Sequence, residues 1–230
     1  MTTNEQIQDS PLEQVLNKQE AFLLKYKKVI VGGVAAVLII VAAVICYNNF
    51  YAQPREDKAS TALAKAQKIF ATGEYDKAIK GDKGVQGFLA IADEFGGTDA
   101  ANLAHLYAGI CYAHTEKWQD AVNELDKFST HDDAIISPAS QMALGDAYAN
   151  TNNIDKAIDC FKKAAKLADA AAADNANISI SATALIKAGR LLESQNKADE
   201  ALKIYQDVKA KYVNSNAAQD IDKYIERVSK

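Results

Sequence analysis

The sequence predicts an all-α protein: one apolar helix near the N-terminus, a solenoid of helix-turn-helix units, and a closing amphipathic helix. Three observations predict it. Residues 29–47 form an uncharged, almost wholly apolar run, VIVGGVAAVLIIVAAVICY. Beyond Pro54 the chain holds a single proline, Pro138, as a helical region requires. Three segments in that region align with one another without a gap.

Composition bounds the function. Over 230 residues, 49% are hydrophobic and 24% charged, with only 11 Gly and 3 Pro, which excludes collagen-like and wholly disordered classes. The 26 basic and 30 acidic residues leave a net charge of -4, so there is no electrostatic footprint for nucleic acid. Three Cys do not build a disulfide framework.

Residues 1–28 read as a cytoplasmic tail with a short amphipathic helix. Ser10 suits the N-cap, Pro11 the first helical position, and Glu13 the positive end of the helix dipole. Leu12, Val15, Leu16, Gln19, Phe22 and Leu23 share one face at helical spacing. The stripe reads as a lead-in to the next helix, with docking on a partner or on the inner leaflet as the alternative.

The transmembrane helix is assigned to residues 29–51. At about 1.5 Å of rise per residue, the apolar run matches the roughly 30 Å hydrocarbon core. Tyr26 before it, and Tyr47, Phe50 and Tyr51 after it, suit the interfaces. The run is longer than a signal-peptide core and starts deep in the chain, which favours an uncleaved anchor. Cys46 closes the run as a lipid-attachment Cys does, but Ile45 stands where such signals place a small residue. Lys25, Lys27 and Lys28 flank the N-terminal side and only Arg55 and Lys58 follow, so the tail stays cytoplasmic and residues 52–230 lie across the membrane. The expected location is the bacterial inner membrane, single-pass, with a periplasmic C-terminal domain.

The aligned segments are GICYAHTEKWQDAVNEL, GDAYANTNNIDKAIDCF and GRLLESQNKADEALKIY. Each opens on Gly (Gly109, Gly145, Gly189), carries a bulky residue three on (Tyr112, Tyr148, Leu192) and passes a short polar turn. Then come a small residue (Ala121, Ala157, Ala201) and a bulky one four later (Leu125, Phe161, Tyr205). Small residues let two helices of one unit cross closely, and bulky ones fill the space between units that cannot bury their own faces alone. The pattern resembles the tetratricopeptide repeat, a pair of antiparallel helices of 34 residues. The resemblance implies a protein-binding superhelix.

Spacing departs from that ideal: Gly109 to Gly145 is 36 residues and Gly145 to Gly189 is 44. The extra residues fall around HDDAIISP and DAAAADNANIS, and a longer second helix is expected in the latter case. The Ala-rich stretch 164–176 reads as a good helix former. A degenerate first unit precedes the three: FATGEYDKAI holds the turn Gly73, Glu74, Tyr75 and the small Ala78, and KGDKG then interrupts its second helix. GGTD is a helix stop and restart, capped by Thr98 or Asp99. Residues 217–228 read as a capping helix with Ile221, Tyr224, Ile225 and Val228 inward.

No catalytic constellation emerges, so the chain reads as non-enzymatic, with no cofactor, metal or small-molecule substrate. His105, His114 and His131 have no HExxH context or acid cluster, and His105 falls at a bulky packing position. Cys111 and Cys160 sit at packing positions in different units, with neither CxxC nor Cys/His zinc spacing. Gly81, Gly84 and Gly87 form no phosphate loop. Surface recognition remains. In tetratricopeptide superhelices the first helices line the concave face, and here their exposed positions are expected at Leu63, Phe70, Leu106, Ile110, Met142, Asp146, Ile186 and Arg190. These make a groove for a helix or an unfolded segment; packing of Leu106, Ile110 and Ile186 against neighbouring first helices is the equal alternative. The Lys and Asn clamp with which some of these domains grip a C-terminal carboxylate is replaced by Leu106, Ile110, Ala139 and Ala143.

One anchor, a short basic tail and a translocated repeat domain together resemble the YfgM-type ancillary subunit of the bacterial Sec translocon. GFLAIADEFGGTDAANLAHLYAGICY is also similar to the tetratricopeptide anchors common in Bacteroidetes. The resemblance implies a scaffold whose partners are Sec translocon subunits, a periplasmic chaperone or client polypeptides. The alternative is a structural subunit of another cell-envelope complex for secretion, division or motility. A mitochondrial-type receptor would place the repeats in the cytosol, against the charge bias.

Overall fold

The computed structural model describes the backbone of residues 11–229 and the side chains of residues 25–229. The expected cap Ser10 and the side chains of the tail stripe (Leu12, Val15, Leu16, Gln19, Phe22, Leu23) lie outside the described residues. The chain divides into two compact units, Met1–Pro54 and Arg55–Lys230.

The described part of the first unit is helical. α1 covers Pro11–Tyr47, with Pro11 in its first position, and a π-helical turn follows at Asn48–Ala52. Every described side chain from Lys25 to Tyr51 is exposed, Ile39 by 70% and Phe50 by 83%. A β-carbon at Gly32 or Gly33 would meet only open space. The helix is long and apolar enough to cross a membrane, and a soluble core helix would bury such residues.

The second unit is a stack of helix pairs. Its elements are α2 (Gln53–Ala71), α3 (Tyr75–Lys80), strands β1 (Gly81–Asp82) and β2 (Val85–Gln86), α4 (Phe88–Glu94), α5 (Asp99–His114) and α6 (Trp118–Leu125). Then come α7 (Ile136–Asn150), α8 (Ile154–Ala170), α9 (Ile180–Ser194), α10 (Ala198–Lys211), a 3-10 turn at Asn216–Ala218 and α11 (Ile221–Val228). The interruption at KGDKG is a two-stranded antiparallel hairpin, with Asp82 paired to Val85 and the tip residues Lys83 and Gly84 at positive φ. Gly87 is forced: a β-carbon there would collide with the backbone of Gly81, Ile79 and Lys80.

The pairs α5–α6, α7–α8 and α9–α10 turn in the same way. Lys117, Asn153 and Lys197 donate backbone N–H groups to the carbonyls of Tyr112, Tyr148 and Leu192 at 2.9, 2.8 and 3.0 Å. The residues just before them, Glu116, Asn152 and Asn196, adopt left-handed φ of 58°, 61° and 59°. This is the Schellman C-cap, which satisfies carbonyls that the helix end leaves free. The first unit uses Gly73 (φ 79°) at the same register. Asn and Gly tolerate that conformation; exposed Glu116 does not do so readily. Glu116→Gly is therefore expected to raise stability by about 0.5–1 kcal/mol, read as an upward shift in the unfolding temperature.

Close crossing of each pair follows from the glycines. A β-carbon at Gly145 would lie 2.8 Å from the Phe161 ring, one at Gly109 would lie 2.8 Å from Leu125 Cδ2, and one at Gly189 would lie 2.7 Å from Tyr205 Cζ. Each glycine thus makes the seat for the bulky side chain sixteen residues on. Ala121, Ala157 and Ala201 are fully buried. Two cores result, one over α2–α5 and a larger one from α5 to α11.

Both insertions behave differently from a plain repeat. α8 runs to Ala170, longer than α6, and the Ala-rich stretch then leaves the helix, so only its first half is helical. Asp169 ties this turn down, accepting from Tyr212 Oη at 2.6 Å and from the Asn177 N–H at 2.9 Å. Before α7, Asp133 caps the helix by accepting from the N–H groups of Ile135, Ile136 and Ser137. Thr98 caps α5, accepting from the Ala101 N–H at 3.1 Å.

The closing helix is shorter than expected: residues 216–218 form the 3-10 turn and α11 starts at Ile221. Ile221 is buried, and Tyr224, Ile225 and Val228 are half-buried against the core. Arg227 locks it, donating from Nε and Nη2 to Glu193 Oε2 and Oε1, both at 2.7 Å, while the Tyr205 hydroxyl donates to the same carboxylate. Arg227 holds the Glu193 carboxyl below its ordinary value of 4.5. A depressed carboxylate contributes stability above the unfolded pKa and loses it as pH falls through the folded one. Acidification below about pH 4.5 is thus expected to loosen α11. In Arg227→Gln the difference in α11 amide exchange between pH 6 and pH 4 should shrink.

Candidate partner surface

The structure corrects the expected groove. Leu63, Leu106 and Ile186 are buried, at 5%, 7% and 8% exposure, inside the two cores. Leu63 belongs to the core over α2–α5, and Leu106 and Ile186 belong to the core from α5 to α11. Ile110 and Met142 are half-buried on the same core. Asp146 is half-buried and accepts from Lys187 Nζ at 2.7 Å on both oxygens; Lys187 also lies 5.4 Å over the Phe161 ring. Arg190 is exposed. The first helices therefore present Ile110, Met142, the Asp146–Lys187 pair and Arg190, a face more polar than the apolar groove expected.

Phe70 belongs to an aromatic cluster that the sequence did not disclose. Its ring lies 5.6 Å from Tyr75, 6.4 Å from Phe88 and 5.2 Å from Tyr107, edge-on in each case. Tyr107 stacks on Phe88 at 5.2 Å, and His114 stacks on Tyr75 at 4.4 Å. Phe88 is buried, Phe70, Tyr75 and Tyr107 are half-buried, and His114 is exposed. Such amphipathic rings suit a protein contact. The available signal was the pair Phe70 and Tyr75 flanking the first turn.

His105, Glu124 and Lys127 form a hydrogen-bonded set within one helix pair. His105 Nδ1 lies 2.7 Å from Glu124 Oε2, and Lys127 reaches Oε1 of the same buried carboxylate at 2.8 Å. Burial pushes the Cys111 thiol up to about 12 and the Cys160 thiol up to about 11, so neither is a nucleophile at neutral pH. The two sit in separate cores and are free thiols, as is exposed Cys46. Among the described residues no group of three His, Cys, Asp or Glu is placed to hold a metal ion. An open cleft of about 440 Å³ between α2 and the hairpin is lined by Asp57, Thr61, Lys65, Val85 and Gln86, without convergent catalytic groups.

Polar side-chain links join successive units. Asp76 of α3 accepts from Lys117 Nζ at 2.7 Å in the next unit, and Asp155 of α8 accepts from Gln195 Nε2 at 2.8 Å. The carboxylate in the first turn of one second helix thereby reaches the turn of the following pair.

This geometry defines a tetratricopeptide-like helical-repeat protein, a class that serves as interaction scaffolds. The chain belongs to the family described as T7SS, ESX-1 secretion system protein EccA1, N-terminal domain, whose model matches residues 39–223. No curated protein matches it. Solved structures similar to it include a crystal structure of a putative kinesin light chain from Podospora anserina with nearly identical TPR-like repeats. That likeness has a TM-score of 0.55 at 12% identity and covers 75% of this chain and 86% of that one. A crystal structure of a point variant of the same fungal protein gives 0.56 at 12% identity, with 75% and 85% covered. These likenesses carry the fold alone.

Proposed function

We propose that this protein is a membrane-anchored, non-enzymatic scaffold that holds protein partners of a secretion apparatus. The reading is carried by one conjunction within a single chain. An apolar helix of spanning length, exposed at every described side chain from Lys25 to Tyr51, precedes repeats of a secretion-system family. The basic flank Lys25, Lys27 and Lys28 supports a cytoplasmic tail with the repeats across the bacterial inner membrane. The family match favours a dedicated secretion machine; the anchored architecture leaves the Sec translocon with a periplasmic chaperone as the second reading. Partner contact falls on Phe70, Tyr75, Tyr107 and His114, and on Ile110, Met142, Asp146 and Arg190 of the first helices further along the stack. Aromatic rings and an exposed arginine are the side chains that most often dominate interface energy.

Affinity purification of the full chain from detergent-solubilised membranes tests this. Stoichiometric recovery of one secretion complex, lost in Tyr107→Ala with Arg190→Ala, is the expected outcome. Recovery of Sec translocon subunits with a chaperone supports the second reading, and recovery of no envelope protein contradicts both.

A further inference from the structure

We propose that one edge of the repeat stack rests on the lipid surface, through Ile135, Ile136 and Ile178. The proposal rests on the reading of residues 29–51 as a membrane span.

Antiparallel pairing puts two kinds of connection at opposite edges of the stack. The turns inside the pairs lie at one edge; the connections between pairs lie at the other. In the repeat unit the exposed large hydrophobics are Ile135 (68%), Ile136 (45%), Ile178 (46%) and Val213 (74%). All four lie in connections between pairs or at the helix start that follows one, and none in a turn inside a pair, where Glu116, Lys117, Asn152, Asn153, Asn196 and Lys197 stand. Single exposed aliphatics need no explanation; their confinement to one edge does.

The chain enters the repeats at that same edge. Arg55 donates to the carbonyls of Gly96 and Glu94 at 2.7 and 2.9 Å, closing the end of α4. Glu56 accepts from the N–H groups of Asp99 and Ala100 at 2.8 and 3.0 Å, at the start of α5. One turn on, Asn102 donates to the Ser129 carbonyl and accepts from the Ser129 N–H, both at 2.8 Å, which holds the loop leading to Ile135 and Ile136. Hydrogen bonds therefore tie the first residues after the span to the start of α5, and α5 in turn to the loop that leads to Ile135 and Ile136. Only residues 52–54 separate the assigned span from Arg55, so the bilayer surface is within reach of this edge by chain length alone.

Nearby charges are mixed. Lys127 and His131 stand beside Asp132, and Asp133 is occupied in capping α7. The contact is accordingly apolar insertion at the headgroup level rather than attraction to anionic lipid, and phosphatidylcholine suffices as the partner.

The test uses the full chain in phosphatidylcholine nanodiscs, with headgroup-level nitroxide lipid as quencher. A fluorophore is placed in turn at native Cys46, and in a Cys46→Ser background at Ile136→Cys, Ile178→Cys and Asn152→Cys; buried Cys111 and Cys160 stay unlabelled. Quenching at positions 136 and 178 several-fold above that at position 152 is the expected result. Quenching at Cys46 with positions 136, 178 and 152 all equally low overturns the proposal and leaves the span intact. No lipid protection at Cys46 overturns the span and the proposal with it. Protection of position 136 in native membranes but not in nanodiscs assigns the edge to a protein and also overturns the proposal.

Discussion

Gly145→Leu is expected to destabilise the repeat unit by about 3 kcal/mol or more, because overpacking a tight crossing forces off-rotamer side chains and backbone shifts. Even a β-carbon at this position would stand 2.8 Å from the Phe161 ring, which is itself buried between α7 and α8. A leucine adds three more carbons where none fits, so the two helices must part. For a unit of this size each kcal/mol moves the melting temperature by about 2–4 °C, giving a fall of roughly 10 °C in calorimetry. Ala139→Leu on the exposed face of the same helix makes a similar increase in size and should leave the melt nearly unchanged. Trimming the partner in Gly145→Ala with Phe161→Leu should recover part of what Gly145→Ala alone loses, since the two sites share one space. An unchanged melt for Gly145→Leu would falsify the crossing described here.

Two aspartates in the middle of the apolar run, at Val37 and Val41, should release the protein from membranes. Each charged residue near the centre of a span costs about 2.5–3.5 kcal/mol on insertion scales, so the pair costs roughly 6 kcal/mol. Both valines are exposed, at 59% and 48%, so substitution disturbs no packing within the chain. The wild-type protein should resist alkaline carbonate extraction, and the double variant should move to the supernatant. Retention of the variant in the pellet would mean that residues 29–51 do not carry the attachment.

Much of this architecture is legible in the sequence because its causes are local or periodic. Gly109, Gly145 and Gly189 with Leu125, Phe161 and Tyr205 repeat at a fixed offset of sixteen residues, and a close crossing leaves no other residue types at those places. The apolar helix is legible because its run is uninterrupted and long enough to cross a membrane. The KGDKG break was visible, but not its form: whether a break makes a loop or a hairpin depends on the clash-free approach of Gly81 and Gly87. The left-handed Glu116 gives no local signal, since only alignment with Asn152 and Asn196 marks it. Arg55 and Glu56 cap helices some forty residues away, and no window of sequence carries that information. Three of the expected groove residues, Leu63, Leu106 and Ile186, are buried for a geometric reason. Whether Leu106 and Ile186 face a neighbour or a ligand depends on how closely successive first helices approach. The aromatic cluster around Phe70 joins side chains from α2, α3, α4 and α5, so its members are scattered along the sequence.

Site-specific photo-crosslinking in native membranes tests the central claim most directly, with probes at Tyr107 and Arg190 on the repeats and at Asn123 as an exposed control on α6. The anchored-scaffold account predicts discrete adducts with subunits of one secretion complex from positions 107 and 190 and none from position 123. Equal, unspecific labelling from all three positions would contradict it.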